Sequence, residues 1–325
     1  MKKMFILLSA IMMLAGCKEG PALKPSVSGK AGEVVIVMEK PYWEGTLGNE
    51  VRDLLAADVP YLAQKEPLYS LVNVVPSAFG DLFKVHRNIV IFTVNPQVDS
   101  NRVDYHHDVW SAPQCLIQLH AKTPEEAIEL FKAKGGMIMG SIEQAERDRV
   151  IRNSKLYEET SIRAKMSDIF GGAPHFPTGY KIRKSDDTFA WIADDKDGCY
   201  QDVLIYRYPV EDAEPLSEDS VLTHMDAILK DNVPGMLDNS YMTTSKYFPV
   251  THESIRYRGR DFMQTRGMWE VANDFMGGPF VSHSFYSQDG QDIITVLAFV
   301  YAPRFDKRQY LRQVESIIYS WEWKN

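Results

Sequence analysis

The chain has 325 residues, 45% hydrophobic and 25% charged, which supplies enough apolar side chain for a sizeable core and excludes a disordered polyelectrolyte. Its 44 acidic residues outnumber 36 basic ones, and a formal charge of −8 repels phosphate backbones and anionic headgroups, so nucleic acid is excluded as a partner. Beyond the N-terminal segment no stretch is long and apolar enough to cross a bilayer as a helix.

Lys2 and Lys3 form a positive n-region, and residues 5–14 form an apolar segment too short for a stable span. Leu14-Ala15-Gly16-Cys17 places two small residues directly before a cysteine, the mark of a lipoprotein signal. Residues 1–16 therefore read as a signal peptide that is removed, and Cys17 as the acylated, palmitate-type mature N-terminus. An acyl chain contributes about 0.8 kcal/mol per buried methylene, so roughly two or three chains hold a protein on a membrane without a span. Cleavage leaves 34 basic against 44 acidic residues, a charge of −10. Lys18, not an aspartate, follows the cysteine, which points to the outer membrane and leaves open whether the domain faces the periplasm or the surface. Residues 17–32, the lipidated cysteine and a Gly, Pro, Ser and Lys-containing stretch, read as a flexible tether.

Folded structure is expected from Glu33. Residues 34–38 read as a buried strand, 47–57 as a short helix, and 68–75, 88–94 and 114–120 as strands. Thr123-Pro124-Glu125-Glu126 combines a cap hydroxyl, a proline at the first helical position and a glutamate at the third. The helix it opens is weakened at Gly135-Gly136, and the polar stretch to Met166 continues it or forms a second helix. Phe170-Gly171-Gly172-Ala173-Pro174 punctuates the chain and suggests a division into an N-terminal unit, 33–170, and a C-terminal unit, 171–325. Strands follow at 180–184, 188–193 and 199–208, then a helix from Ser217 stopped by Pro234-Gly235. Further strands are expected at 254–262, 266–271, 281–286 and 292–301, before a closing helix capped by Asp306. Each half reads as strands followed by a helix, so the expected class is α+β, two units of largely antiparallel sheet packed by helices.

Catalytic signatures are missing: no GxSxG, HExxH, P-loop, dinucleotide fingerprint or SxxK is present. Arg256 stands where the second histidine of a zincin that began at His252-Glu253 would be needed, and Ala193 and Leu204 spoil a calcium loop around Asp195-Lys196-Asp197-Gly198. No cofactor, metal ligand set or catalytic residue is expected. Asp104-Tyr105-His106-His107-Asp108 gathers metal-capable side chains, and only Asp104, His106 and Asp108 would share a face if extended; solvated loop residues are the plainer reading. Cys115 and Cys199 sit in strand-like contexts as buried thiols, with a disulfide between them open and no CxxC present. Arg256-Tyr257-Arg258-Gly259-Arg260 is the main binding candidate, because at period two its three guanidiniums would leave one strand face together, with Arg266 and Trp269 close behind. Such a row either receives an oxyanion or partner, or pairs with carboxylates of neighbouring strands.

Leu14 to Cys17, Arg266-Gly267-Met268-Trp269, Phe275-Met276-Gly277-Gly278-Pro279-Phe280 and the tail from Tyr301-Ala302-Pro303 to Ser320 resemble an uncharacterised Bacteroidota lipoprotein family, domain of unknown function 4837. That resemblance covers nearly all of the mature chain and implies no activity, catalytic residue or cofactor. The second half, strand-rich and closed by a helix, also resembles the PsbP and Mog1 α/β/α sandwich at the level of fold. The function expected is a membrane-anchored envelope lipoprotein of unknown biochemical activity, non-enzymatic, with an envelope protein or anionic ligand as partner. The alternative is an envelope hydrolase whose site is assembled from residues scattered along the chain.

Overall fold

A computed structural model describes residues 23–196, 198–211 and 213–324. The signal peptide, Cys17 and the first part of the tether lie outside the described residues. The first sheet collects β1 (Glu33–Val37), β2 (Ser70–Val74), β3 (Asn88–Val94), β4 (Arg102–His107) and β5 (Cys115–Ala121) in the order β2-β1-β3-β5-β4. Helices α1 (Lys40–Glu44), α2 (Thr46–Leu55) and α3 (Asp81–Lys84) fall between these strands, and α4 (Pro124–Leu156) follows them. The α+β class holds for the chain, but this first sheet is not largely antiparallel: β1 runs parallel to β2 and β3, and β3 to β5, with only the edge strand β4 reversed. The physical reason lies in burial. Val34-Val35-Ile36-Val37 is apolar on both faces, as parallel strands covered on both sides are, and the connections between parallel neighbours leave room for crossovers.

The second sheet contains β7 (Lys181–Ser185), β8 (Phe189–Lys196), β9 (Cys199–Pro209), β10 (Tyr241–Thr244), β11 (Thr251–Tyr257), β12 (Arg260–Ala272), β13 (Gly277–Tyr286) and β14 (Asp292–Tyr301). Its order is β10-β12-β13-β14-β9-β8-β7, with β11 also on β12, and every pairing is antiparallel. One face packs on α6 (Glu218–Asn232) through Val221, Met225 and Leu229. The other packs on α5 (Thr160–Phe170) and α7 (Arg308–Tyr319) through Ile162, Met166, Leu311 and Ile318. A two-stranded ribbon, β6 (Gly172–Ala173) with β15 (Glu322–Trp323), ties the chain's end to the segment after α5.

Helix α4 joins the two units. It runs unbroken for 33 residues, about 50 Å at 1.5 Å per residue. Thr123 Oγ1 accepts from the Glu126 amide at 3.2 Å, one of the two bonds of a capping box. Gly135-Gly136 does not interrupt it: a Cβ at Gly135 would stand 2.6 Å from Leu54 Cδ2, so that glycine is the means by which α2 comes close. Phe131, Ile138 and Ile142 serve the first core and Ile151 the second. Helix α5 lies upstream of the expected division at 170–174, yet Ile162, Met166 and Phe170 belong to the core of the second sheet.

Three local expectations change. Asp306 does not cap α7; the free amides of Lys307 and Arg308 donate instead to Glu66 Oε1 and Oε2, at 2.7 and 2.8 Å, from the other unit. Asp104, His106 and their neighbours form the edge strand β4 rather than a loop, and Asp104 is paired with Arg102 at 2.9 Å and His120 at 3.5 Å. Segment 254–262 is not one strand but a hairpin.

Candidate functional site

The hairpin decides the fate of the arginine row. Strands β11 and β12 pair from Thr251↔Arg266 to Tyr257↔Arg260, leaving Arg258-Gly259 as a two-residue turn. Both turn residues have positive φ, 48° and 80°, as the tight hairpin geometry matching strand twist demands. Arg256, Arg258 and Arg260 therefore stand on one strand, a turn and the returning strand, and their side chains diverge. Arg256 is exposed beside Asp261 at 3.8 Å. Arg258 reaches Asp148 on α4 at 2.6 Å. Arg260 turns inward, donating from Nη2 to the Tyr319 carbonyl at 3.0 Å and lying over the rings of Phe262 and Phe285 at 5.5 and 5.8 Å.

Arg266 lies on the inward face of β12, where its guanidinium meets both oxygens of Glu315 on α7, one of them at 3.1 Å, while Nε donates to Gln264 Oε1 at 2.9 Å. Burial alone would lower the Arg266 pKa, but the Glu315 charge and hydrogen bonds outweigh it and raise it. Trp269 points to the opposite face. It is buried against Phe299, with Nε1 donating to the Val300 carbonyl at 3.3 Å. The five sequence candidates thus form no single surface: Arg258 and Arg260 share a cleft, Arg266 is held in a buried pair, Arg256 is outside, and Trp269 is core.

The Arg258 and Arg260 cleft has a volume of about 370 Å³. Its charged lining comprises Lys155, Arg163, Arg258 and Arg260 against Glu322. Its aromatic lining is Tyr257, Tyr319, Trp321 and Trp323. Glu322 receives Lys155 and, at 3.3 Å, Arg163, and lies 3.0 Å from His175 Nε2. Burial would raise the Glu322 carboxyl, but hydrogen bonds from Lys155 and His175 hold it below its ordinary value. Arg163 is shared with Glu158 at 3.5 Å, and Arg258 with Asp148. Arg260 is different: it makes no ion pair among the described residues, and its buried Nη1 has no hydrogen-bond partner. Desolvation lowers its pKa to about 10, which leaves it fully charged near neutrality. Next to it His283 is wholly buried between Phe262 and Tyr319; burial and then the charges of Arg260 and Arg266 push its pKa far down, so it fills this space as a neutral ring.

Lys155, Arg163 and Glu322 were not among the sequence candidates because α4, α5 and the chain's end bring them together from distant positions. The one local signal was Trp321-Glu322-Trp323, whose alternation marks a short strand with an acid between two aromatics. Among the described residues no three of His, Cys, Asp and Glu come together in a group able to hold a metal ion. Cys115 and Cys199 are buried and unpaired; burial pushes the Cys115 thiol up to about 11 and also raises that of Cys199.

No curated protein sequence matches the chain. Among solved structures it is similar to the Saccharomyces cerevisiae Ran-binding protein Mog1p, at 10% identity and a TM-score of 0.32, over 47% of this chain and 89% of that one. It is also similar to a Bacteroides thetaiotaomicron protein, at 10% identity and a TM-score of 0.26, over 48% and 46%. LpqN of Mycobacterium tuberculosis, described as involved in cell envelope biogenesis, matches at 13% identity and a TM-score of 0.27, over 45% and 79%. Residues 27–155 match a second domain of unknown function (DUF8532), so the two family matches part at the end of α4. From residue 159 to residue 320, the sheet, helices and arginines just described, the chain belongs to the family Domain of unknown function (DUF4837).

Proposed function

We propose that this is a cell-envelope lipoprotein, tethered to the outer membrane through Cys17, whose folded part binds an anion-bearing ligand and does not transform it. The observation that carries the binding reading is Arg260, a charged guanidinium with one buried nitrogen unpartnered, at the wall of a cleft holding four cations and one carboxylate. Burying such a donor without a partner costs about 1–3 kcal/mol or more, and a turn of the guanidinium into the cleft would give that nitrogen an oxyanion as acceptor. Aromatic rings beside it offer a flat apolar surface for whatever carries the charge. The Leu14-Ala15-Gly16-Cys17 signature supports the anchor, and no helix among the described residues is long and apolar enough to cross a membrane.

Tripolyphosphate and citrate, titrated while following tryptophan fluorescence at low and high salt, test the cleft through Trp321 and Trp323. Binding should weaken with salt, fall at least about tenfold in Arg260→Ala, the order of one charge-assisted hydrogen bond, and be partly kept in Arg260→Lys. Neither anion binding, or both binding equally well to Arg260→Ala, would overturn the reading. For the anchor, Cys17→Ser should abolish labelling by a fatty-acid probe and leave the precursor unprocessed; a labelled mutant refutes it.

A further inference from the structure

A second cleft, about 330 Å³, opens where α4, α7 and the loop before β2 meet, and its two walls differ in kind. One wall is apolar, formed by Val59, Pro60, Leu68 and Met139. Gly136 and Gly140, one helical turn apart on α4, line it with nothing within 4 Å of where a Cβ would stand, so the helix leaves this space open instead of packing it. The other wall carries four guanidiniums, Arg147, Arg266, Arg308 and Arg312, against Glu143 and Glu315. Glu143 is taken by Arg312 at 3.0 Å and Tyr69 at 2.8 Å; Glu315 is taken by Arg266 and stands 3.7 Å from Arg147. Glu66 lies behind the rim with both oxygens engaged by the Lys307 and Arg308 amides. Even with Glu66 counted, four cations face three carboxylates. Arg308 donates to the Pro67 carbonyl and to Ser70 Oγ and makes no ion pair among the described residues.

We propose that this cleft binds a small amphiphile, with an aliphatic tail along the glycine-lined apolar wall and a single oxyanion head, carboxylate or phosphate, at Arg308, the guanidinium of this wall that has no carboxylate of its own. Charge excess on one wall and unfilled apolar space on the other fit that class and no simple ion. The inference is independent of the Arg260 cleft. Decanoate, decyl phosphate, decanol and acetate, titrated calorimetrically against the wild-type chain, separate its parts. Decanoate or decyl phosphate should saturate one site, and decanol and acetate should each bind at least about tenfold more weakly, since each lacks one half of the match. Gly140→Leu, which fills the cavity at an open helical position, should abolish binding while leaving the melting temperature unchanged or raised; Arg308→Gln should lose several-fold. Decanoate should bind equally with tripolyphosphate present. Decanol binding as well as decanoate, Gly140→Leu binding undiminished, mutual exclusion of decanoate and tripolyphosphate, or no saturation by either decyl anion would each overturn the proposal.

Discussion

Replacing Glu143 with alanine should loosen the junction of the two units, and the structure sets the size of the effect. Its carboxylate takes two hydrogen bonds from Arg312 at 3.0 Å and one from Tyr69 at 2.8 Å. Removing one member of a fully buried ion pair costs about 3–5 kcal/mol, because the partner is stranded. Here the Arg312 side chain is 8% exposed but that of Glu143 is 27% exposed towards the cleft, so water relieves part of the penalty and about 2–3 kcal/mol is expected. At roughly 2 °C per kcal/mol for a chain of this size, the melting temperature should fall by about 4–6 °C. The pair itself is isolated by a double-mutant cycle with Arg312→Leu. If the guanidinium is stranded in Glu143→Ala, the double mutant should recover stability relative to the sum of the single mutants. A loss under about 1 kcal/mol with strictly additive mutants would refute the reasoning, since it would mean that the junction stands open to water in solution.

The same carboxylate gives a pH signature. Burial would raise the Glu143 pKa, but the charge and hydrogen bonds of Arg312, with Tyr69, hold it below the ordinary 4.5, so its contribution is complete above pH 4.5 and is lost as pH falls through the folded value. The stability gap between wild type and Glu143→Gln, measured by denaturant melts from neutral to acid pH, should therefore close below pH 4.5 and stay constant above it. Glu66→Ala should cost about 1–2 kcal/mol as a lost helix cap, and because the cap is supplied across the junction, amide exchange should quicken in the first turn of α7 ahead of the sheets. Cys115 and Cys199 should resist a thiol-reactive disulfide reagent at pH 8 in the native state and both react in denaturant, since both thiols are buried and their pKa values raised; rapid native labelling of either would contradict its burial.

Elements defined by their own residues were legible in the sequence. Strand β14 matches the expected 292–301, apolar but for Asp292 and Thr295, and α6 begins after Ser217, whose Oγ accepts from the Ser220 amide at 3.4 Å. Pairing partners were not legible, because β1 joins β2 and β3 through contacts that no local pattern records. Period-two spacing misled at Arg256 to Arg260, where alternation is the same whether the strand continues or folds back, and Arg258-Gly259 is a weaker turn signal than Asn-Gly. Arg260 was named only as one of three arginines in a row, and the cleft it lines is completed by Lys155, Arg163 and Glu322, whose convergence depends on how α4, α5 and β15 pack. Arg266 was assigned to the same surface, and its buried partner Glu315 lies 49 residues further on.

The tie between β15 and β6, together with the cap that Glu66 places on α7, bears on the order in which the chain can be made and folded. A ribosome releases Glu66 and Gly172 long before it releases residues 308–323, so α7 and β15 are missing from the junction, and from one face of the second sheet, until those residues emerge. Closure across 241 residues for the cap and about 150 for the ribbon is also slow, since the entropy of joining distant segments must be met before their contacts form. The nascent polypeptide therefore stays incompletely folded until α7 and β15 arrive. That delay would keep it threadable, which is what the export proposed above requires of a chain that crosses as an extended strand.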